Sequence, residues 1–384
     1  MKVKEICYSI TDGSHNPPQG IEQSEFLMLS SKNIFDDEIT IDDPRFLSEE
    51  DFKQEDKRTK IIPGDVLLTI VGTVGRTAVV SEQMPRFTLQ RSVAVLHPNN
   101  DICLSRFLMY ALRSKRTYIE KTAKGVAQKG IYLGEVGEID LPIPTIEQQE
   151  TVVDILDKVG LLIQAYRRQL STFDQLIKAR FVEMFGDVIH NTMGWPYYVF
   201  SDIASSRLGK MLDAKRQSGK CQFPYLANFN VQWFRFELCS LNKMDFDEDD
   251  QAEFELKDGD LIVCEGGEIG RCAIWHNEIQ PCYFQKALHR VRCNTDIVIP
   301  EYLARWFQFN CEHGGFAAIE GAKATIAHLP GAKLKALQVA VPPISLQNEF
   351  AAFVSQVDKS KLSIQASLDQ LEALKQSLMQ KYFG

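Results

Sequence analysis

The sequence predicts an α+β chain of two homologous mixed α/β domains, each followed by a long helix, the two helices pairing as an antiparallel coiled coil with pseudo-two-fold symmetry. Three observations predict this. A glycine-rich motif, Gly64-Asp65, Gly72, Gly75-Arg76 and Ala78, returns 195 positions later as Gly259-Asp260, Gly267, Gly270-Arg271 and Ala273. Gln90 and Leu108 return in the same register as Gln285 and Leu303. A second match, 198 positions apart, pairs Pro144 with Pro342, Gln149 with Gln347 and Phe185-Gly186 with Phe383-Gly384. Finally, each copy ends in a sustained heptad pattern. A repeat this long exceeds the roughly 20–50 residues of a solenoid unit, so each copy is a domain.

The predicted segments are a domain over residues 1–144, a helix over 145–186, a second domain over 187–341 and a second helix over 342–384. Within each domain, Val66-Leu67-Leu68 and Leu261-Ile262-Val263 are short apolar strands entered through Gly-Asp turns. Thr77-Ala78-Val79-Val80 and Cys272-Ala273-Ile274-Trp275 are the strands leaving the glycine loops. Amphipathic helices are expected over 106–118, with Phe107, Leu108, Ala111 and Leu112 on one face, and over 301–310. Leu-Pro-Ile-Pro at 141–144 and Val-Pro-Pro at 341–343 close each domain, because proline forces its predecessor into an extended conformation.

The first long seam is Val152, Leu156, Val159, Ile163, Tyr166, Leu170, Phe173, Ile177, Arg180 and Met184. The second is Phe350, Val354, Val357, Lys361, Ile364, Leu368, Leu371, Lys375, Leu378 and Tyr382. Steps alternate between four and three, the heptad of a coiled coil. Lys361 and Lys375 stand where the first seam has Ile163 and Ile177, so the helices are not interchangeable. A helix near this length, roughly 57 Å at 1.5 Å per residue, cannot bury its stripe against one small domain, and pairing with its counterpart is the economical solution.

The first twenty residues lack the apolar core of a signal peptide, and no stretch approaches the ~18 apolar residues of a membrane span. Nine cysteines without a C-x-x-C pair suit reduced thiols in a cytoplasm. The seven between Cys221 and Cys311 are expected to be buried small hydrophobes. The formal net charge is −8, yet its distribution is uneven. Arg106, Arg113, Lys115, Arg116, Lys121, Lys124 and Lys129 face one acid, Glu120, over 106–129. Arg207, Lys210, Lys215, Arg216 and Lys220 face only Asp213, while acids gather over 36–56 and 245–250. A single basic run is usually a solvated face; one in each copy suggests an anionic polymer.

Motifs for chemistry are weak. An amino-methyltransferase would place an aromatic after Asn/Asp-Pro-Pro to stack a flipped base, and Asn16-Pro17-Pro18 is followed by Gln19. No phosphate loop of the G-x-x-x-x-G-K-[ST] form occurs. The loop over 71–75 opens a strand, so it offers no helix N-terminus to a phosphate. Glu255-Leu256-Lys257 resembles the tail of a nuclease motif but has no counterpart at Lys60-Ile61-Ile62. Asp12, Ser14 and His15 fit a turn better than a nucleophile site. The chain reads as non-catalytic.

Two variable domains, each followed by Pro-x-x-x-x-Gln and a long helix, with Arg180-Phe181-Val182-Glu183-Met184-Phe185-Gly186-Asp187 closing the first, resemble the DNA-specificity subunit of type I restriction–modification systems. Asp12-Gly13-Ser14-His15-Asn16-Pro17-Pro18 and Gly259-Asp260-Leu261-Ile262 followed by Glu265-Gly266-Gly267 are similar to sequences of that family. The resemblance implies that each domain is a target recognition domain reading half of a bipartite, asymmetric duplex sequence. It also implies a helical spacer that docks two modification (adenine methyltransferase) subunits, with restriction (translocase/endonuclease) subunits joining them. S-adenosylmethionine, ATP and Mg would then sit on those partners, with no cofactor on this chain. Two other readings remain at this stage: a coiled-coil scaffold that docks proteins without reading DNA, and a self-contained restriction or methylation enzyme.

Arg76 and Arg271, and Gln90-Arg91 and Gln285-Lys286, occupy equivalent places. Arginine can take guanine O6/N7 and glutamine adenine N6/N7. Features shared by domains that read different sequences nevertheless suit scaffold or phosphate contact better. Base readers are expected where the copies differ: Asp12, Gly13, Ser14 and His15; the loop over 125–129 with Gln128; Asn228, Asn230 and Trp233; and the loop over 321–325 with Thr325. Lys124, Lys129, Lys210, Lys215 and Lys323 are phosphate candidates.

Overall fold

The computed structural model describes residues 1–125, 129–213, 217–317 and 328–384. By contact the chain divides into two compact units, Met1–Arg168 with Gln365–Gly384, and Gln169–Ile364. Each unit therefore holds one globular part and one half of each long helix.

Unit 1 is organised by a four-stranded antiparallel sheet in the order β1 (Cys7–Asp12), β7 (Val93–Pro98), β4 (Val66–Thr69), β5 (Thr77–Val79). Successive side chains of a strand point to opposite faces. Val66 and Leu68 join Phe107 and Leu108 in one core, while Leu67 joins Leu29, Ala78 and Leu89 in another. Both faces are covered, which is why the run is continuously apolar. A smaller sheet orders β3 (Arg45–Phe46), β2 (Leu27–Leu29), β6 (Phe87–Leu89), with β2 and β6 parallel. The helix expected over 106–118 is broken. Ser105–Ser114 ends where the Lys115 amide bonds the Leu112 carbonyl and the Ser114 hydroxyl bonds that of Ala111, and a separate helix Arg116–Thr122 follows.

Unit 2 repeats the plan. Its larger sheet is β9 (Ala204–Leu208), β17 (Leu288–Cys293), β14 (Leu261–Cys264), β15 (Cys272–Ile274), and its smaller is β13 (Asn242–Asp245), β10 (Gln222–Leu226), β16 (Tyr283–Phe284). A ribbon, β11 (Val231–Gln232) with β12 (Arg235–Phe236), and a pair, β8 (Tyr197–Val199) with β18 (Gln338–Ala340), complete it. Leu261 and Val263 face a core with Tyr302 and Phe307; Ile262 and Cys264 face Leu226 and Trp275. Of the seven unit 2 cysteines, Cys264, Cys272 and Cys282 are buried as expected, Cys293 and Cys311 half so, and Cys221 and Cys239 are exposed because they lie in connecting loops.

The repeated residues hold the turns. Gly64, Gly72, Gly75 and their partners Gly259, Gly267 and Gly270 all have φ between 80° and 94°, where a side chain would be strained. The buried Asp65 carboxylate accepts the Ile62 amide and pairs with His97, holding that imidazole above its ordinary pKa through this hydrogen bond. Asp260 accepts the Lys257 amide in the same way, and Arg292 stands where His97 does.

Two helices of 40 residues, α1 (Ile146–Phe185) and α2 (Ile344–Phe383), follow the globular parts. In unit 1, Val152 and Leu156 of α1 pack with Leu378, Tyr382 and Phe383 of α2. In unit 2, Ile177, Phe181 and Phe185 of α1 pack with Phe350 and Val357 of α2. The start of each helix thus meets the end of the other, the antiparallel pairing expected. Every residue of both seams is buried or half-buried. The two lysines in the second seam have acidic partners: Lys361 Nζ lies 2.6 Å from Asp174, and Lys375 Nζ 3.6 Å from Asp37.

Gln149 and Gln347 fasten the helices to the globular parts. Both are fully buried. Gln149 Oε1 accepts the Leu104 amide at 2.9 Å, and its Nε2 donates to the carbonyls of Ile102 and Pro144, each at 2.9 Å. Gln347 accepts from Ile299 at 3.0 Å and donates to Ile297 at 2.9 Å and Pro342 at 2.8 Å. The Pro-x-x-x-x-Gln motif is therefore a buried clasp made identically in both units, although the second helix begins Ser345-Leu346-Gln347 rather than with Glu-Gln.

Candidate nucleic-acid interface

In each unit, loops far apart in sequence are stitched together at one end of the small sheet. In unit 1 the Ser14 amide bonds the Leu89 carbonyl at 2.7 Å, the Arg91 amide the Ser14 carbonyl at 2.9 Å, and the Gln90 amide the Leu29 carbonyl at 2.9 Å. Lys129 and Ile131 join them through Gly72 N to Lys129 O at 3.1 Å and Ile131 N to Ile70 O at 2.9 Å. Unit 2 makes the same bonds: Lys210 N to Phe284 O at 3.1 Å, Lys286 N to Lys210 O at 2.8 Å, Gln285 N to Leu226 O at 3.0 Å and Leu329 N to Glu265 O at 2.6 Å. Gly13 and Gly209 allow this close approach, since a Cβ on either would overlap the backbone of the 89–90 or 284–285 segment. Asn33 and Asn230, both buried, close the 3-10 turn beside each end: their side-chain oxygens accept the amides of Ser30 and Ala227.

The predicted readers divide on this frame. Asp12 and Ser14 are buried. The Asp12 carboxylate is shared between His15 Nε2, 2.7 Å away, and Arg58, which fixes the place of these two exposed side chains. His15, Arg58, Arg91 and Lys124 line one open cleft with Tyr132. Arg91 is exposed and, among the described residues, has no ion-pair partner; Lys129 is also exposed, and Lys124 pairs with Glu135 at 3.1 Å. Gln90 and Gln285 sit half-buried at the stitch, and Lys286 is exposed.

Other candidates serve the frame. Arg76 donates to the Ile34 carbonyl at 3.4 Å and lies over Phe35; Arg271 donates to the Asn228 carbonyl at 3.2 Å and to its side chain at 2.7 Å. Asn228 also bonds the Gly266 carbonyl, and Trp233 bonds Glu268 through its indole nitrogen at 2.7 Å. Asn230 does not reach the surface. Lys210 is turned inward, bonded to the Asp245 carbonyl and paired with Asp250, which leaves it no free charge for a phosphate. Gln128, Lys215, Lys323 and Thr325 lie outside the described residues.

The basic runs are less free than their sequence suggests. Arg113 pairs with Asp37, Arg116 with Asp36, and Arg106 Nε with Asp157 at 3.2 Å; Arg207 pairs with Glu253 at 2.7 Å. The fold brings the acidic segments to the basic ones, so much of each cationic run is neutralised within its own unit. Arg58 and Tyr132 were missed by sequence reasoning. Arg58 lies in an acid-rich helix, Glu49–Thr59, where nothing local marks it, and only the fold brings it to Asp12.

A family model described as "Type I restriction modification DNA specificity domain" matches residues 31–171 and again 193–373, most of the chain. The chain belongs to this specificity family. Residues of the chain are 27% identical over 168 positions to the type I restriction enzyme EcoBI specificity subunit of Escherichia coli, covering 43% of this chain and 34% of that protein. The match therefore spans about a third of that relative. The EcoKI specificity subunit of Escherichia coli K12 is 20% identical over 351 residues, covering 84% of this chain and 75% of the relative. Among solved structures, the type I restriction-modification S subunit from M. genitalium covers the whole chain and 95% of its own at a TM-score of 0.59 and 12% identity. A chain from a study of type I complex assembly and conformational transition gives 0.60 at 14% identity, covering the whole chain and 96% of its own. The specificity fold is thus shared along the full length. Among the described residues, no helix is long and apolar enough to cross a membrane.

Proposed function

We propose that this chain is the non-catalytic DNA-specificity subunit of a type I restriction–modification complex. Each stitched loop end reads one half of a bipartite, asymmetric duplex, and the paired helices set the spacing and dock two modification subunits. Restriction subunits join that core, and S-adenosylmethionine, ATP and Mg belong to the partners. One observation carries the reading: the same backbone frame occurs twice, with different side chains at its tips. Two unlike readers on one frame suit an asymmetric target, as a homodimer suits a palindrome. Exposed Lys129 and Lys286 supply phosphate contacts, which set affinity and its salt dependence.

The test is binding by the complex with its modification partner. Affinity for a duplex carrying both half-sites at the correct gap should fall steeply with salt and drop sharply when either half is scrambled. Equal binding to scrambled duplexes would leave a protein-docking scaffold as the better account. Methyl transfer by the isolated chain would show a self-contained enzyme.

A further inference from the structure

The two loop ends share their frame but present opposite chemistry. Hydrogen bonds common to both units align Ser14 with Lys210 and Asn33 with Asn230, so His15 corresponds to Met211, Asn16 to Leu212 and Lys32 to Phe229. Ile70 corresponds to Glu265, since each accepts an equivalent amide, that of Ile131 or of Leu329. The end of unit 1 carries donors: His15 and Arg58, about half exposed and oriented by Asp12, with exposed Arg91. The end of unit 2 exposes apolar side chains at the matching positions. Met211 is 62%, Leu212 49% and Phe229 53% exposed, and Glu265 adds an acceptor.

Exposed apolar side chains at a polar, loop-built tip call for an apolar occupant. Within a major groove that occupant is the thymine C5-methyl group; donors instead match guanine O6 and N7, and a carboxylate accepts from an exocyclic amino group. Resting on the proposed function, we infer that unit 2 reads its half-site through thymine methyls against Met211 and Phe229. Unit 1 reads guanine through Arg91 and His15. The halves therefore differ in kind: one is selected by acceptors on guanine, the other by methyl groups, with Glu265 favouring a neighbouring cytosine or adenine amino group. Lys286, exposed where its amide bonds the Lys210 carbonyl, holds the DNA backbone and carries no preference.

The test uses the complex with its modification partner and the duplex defined by mapping its methylated adenines. Arg91→Ala identifies the half read by unit 1, as the half in which base choice relaxes. Deoxyuridine, which lacks the methyl, then replaces thymidine singly in each half. Replacement in the half read by unit 2 should weaken binding about fourfold per contacted methyl, following about 0.8 kcal/mol for one buried carbon group. Replacement in the other half should have no effect. In the double variant Met211→Ala, Phe229→Ala the deoxyuridine penalty should vanish while binding to the other half persists. A unit 2 half without thymine in either strand, or a penalty unchanged in the double variant, would overturn the inference and leave the subunit assignment intact. Failure of the complex to prefer any split duplex would overturn both.

Discussion

At the residue scale, the two buried glutamines make the most direct case for a shared frame. Replacing Gln149 or Gln347 with leucine strands one amide and two carbonyls in each clasp, at about 1–3 kcal/mol for an unsatisfied buried group. We expect each substitution to destabilise its own unit by about 3 kcal/mol or more, with similar values for the two. All four tryptophans lie in unit 2, so tryptophan fluorescence during urea unfolding should shift for Gln347→Leu, whereas Gln149→Leu should register by circular dichroism. A neutral result for either would remove the clasp. Arg76→Ala and Arg271→Ala should weaken DNA binding without changing the preferred sequence, because both guanidinia bond backbone carbonyls inside their own units. A changed target motif in either variant would make them base readers. The sequence revealed that these residues recur but not what they touch. Gln149 meets Ile102 and Leu104, and Arg113 meets Asp37, through contacts that no local pattern encodes. That is also why the basic runs looked freer than they are.

At the element scale, the long helices were the most legible part of the chain. Their seams alternate over 40 residues, and an apolar stripe of that length leaves few alternatives. The lysines that interrupt the second seam, which make the two helices non-interchangeable in sequence, are ion-paired positions, Lys361 with Asp174 and Lys375 with Asp37. The strands were legible through their continuous apolar runs; the break at Lys115 was not, since it rests on hydrogen bonds within the last turn. Inserting one heptad between residues 162 and 180 lengthens α1 by about 10 Å and puts it out of step with α2. We expect the preferred gap between half-sites to change or assembly with the modification subunits to fail, as read by the methylated motif and by size-exclusion chromatography. An unchanged gap with full activity would rule out the helices as the spacer.

At the scale of the whole molecule, duplication supplies a constant frame and divergence supplies the address. Gly64, Gly72 and Gly75 with their partners set turns; Asp65 and Asp260 cap them; Gln149 and Gln347 clasp the helices. None of these can distinguish one sequence from another, because both units have them. The stitched ends differ in chemistry: His15 stands where unit 2 has Met211, and Lys32 where it has Phe229. The measurement that tests this most directly is a genome-wide map of methylated adenine from cells carrying the complex, compared with cells in which Met211 and Phe229 are replaced by alanine. The account predicts a split, asymmetric motif in the first, and in the second a change confined to one half, with the other half and the gap unchanged. A continuous or palindromic motif, or both halves changing together, would contradict it.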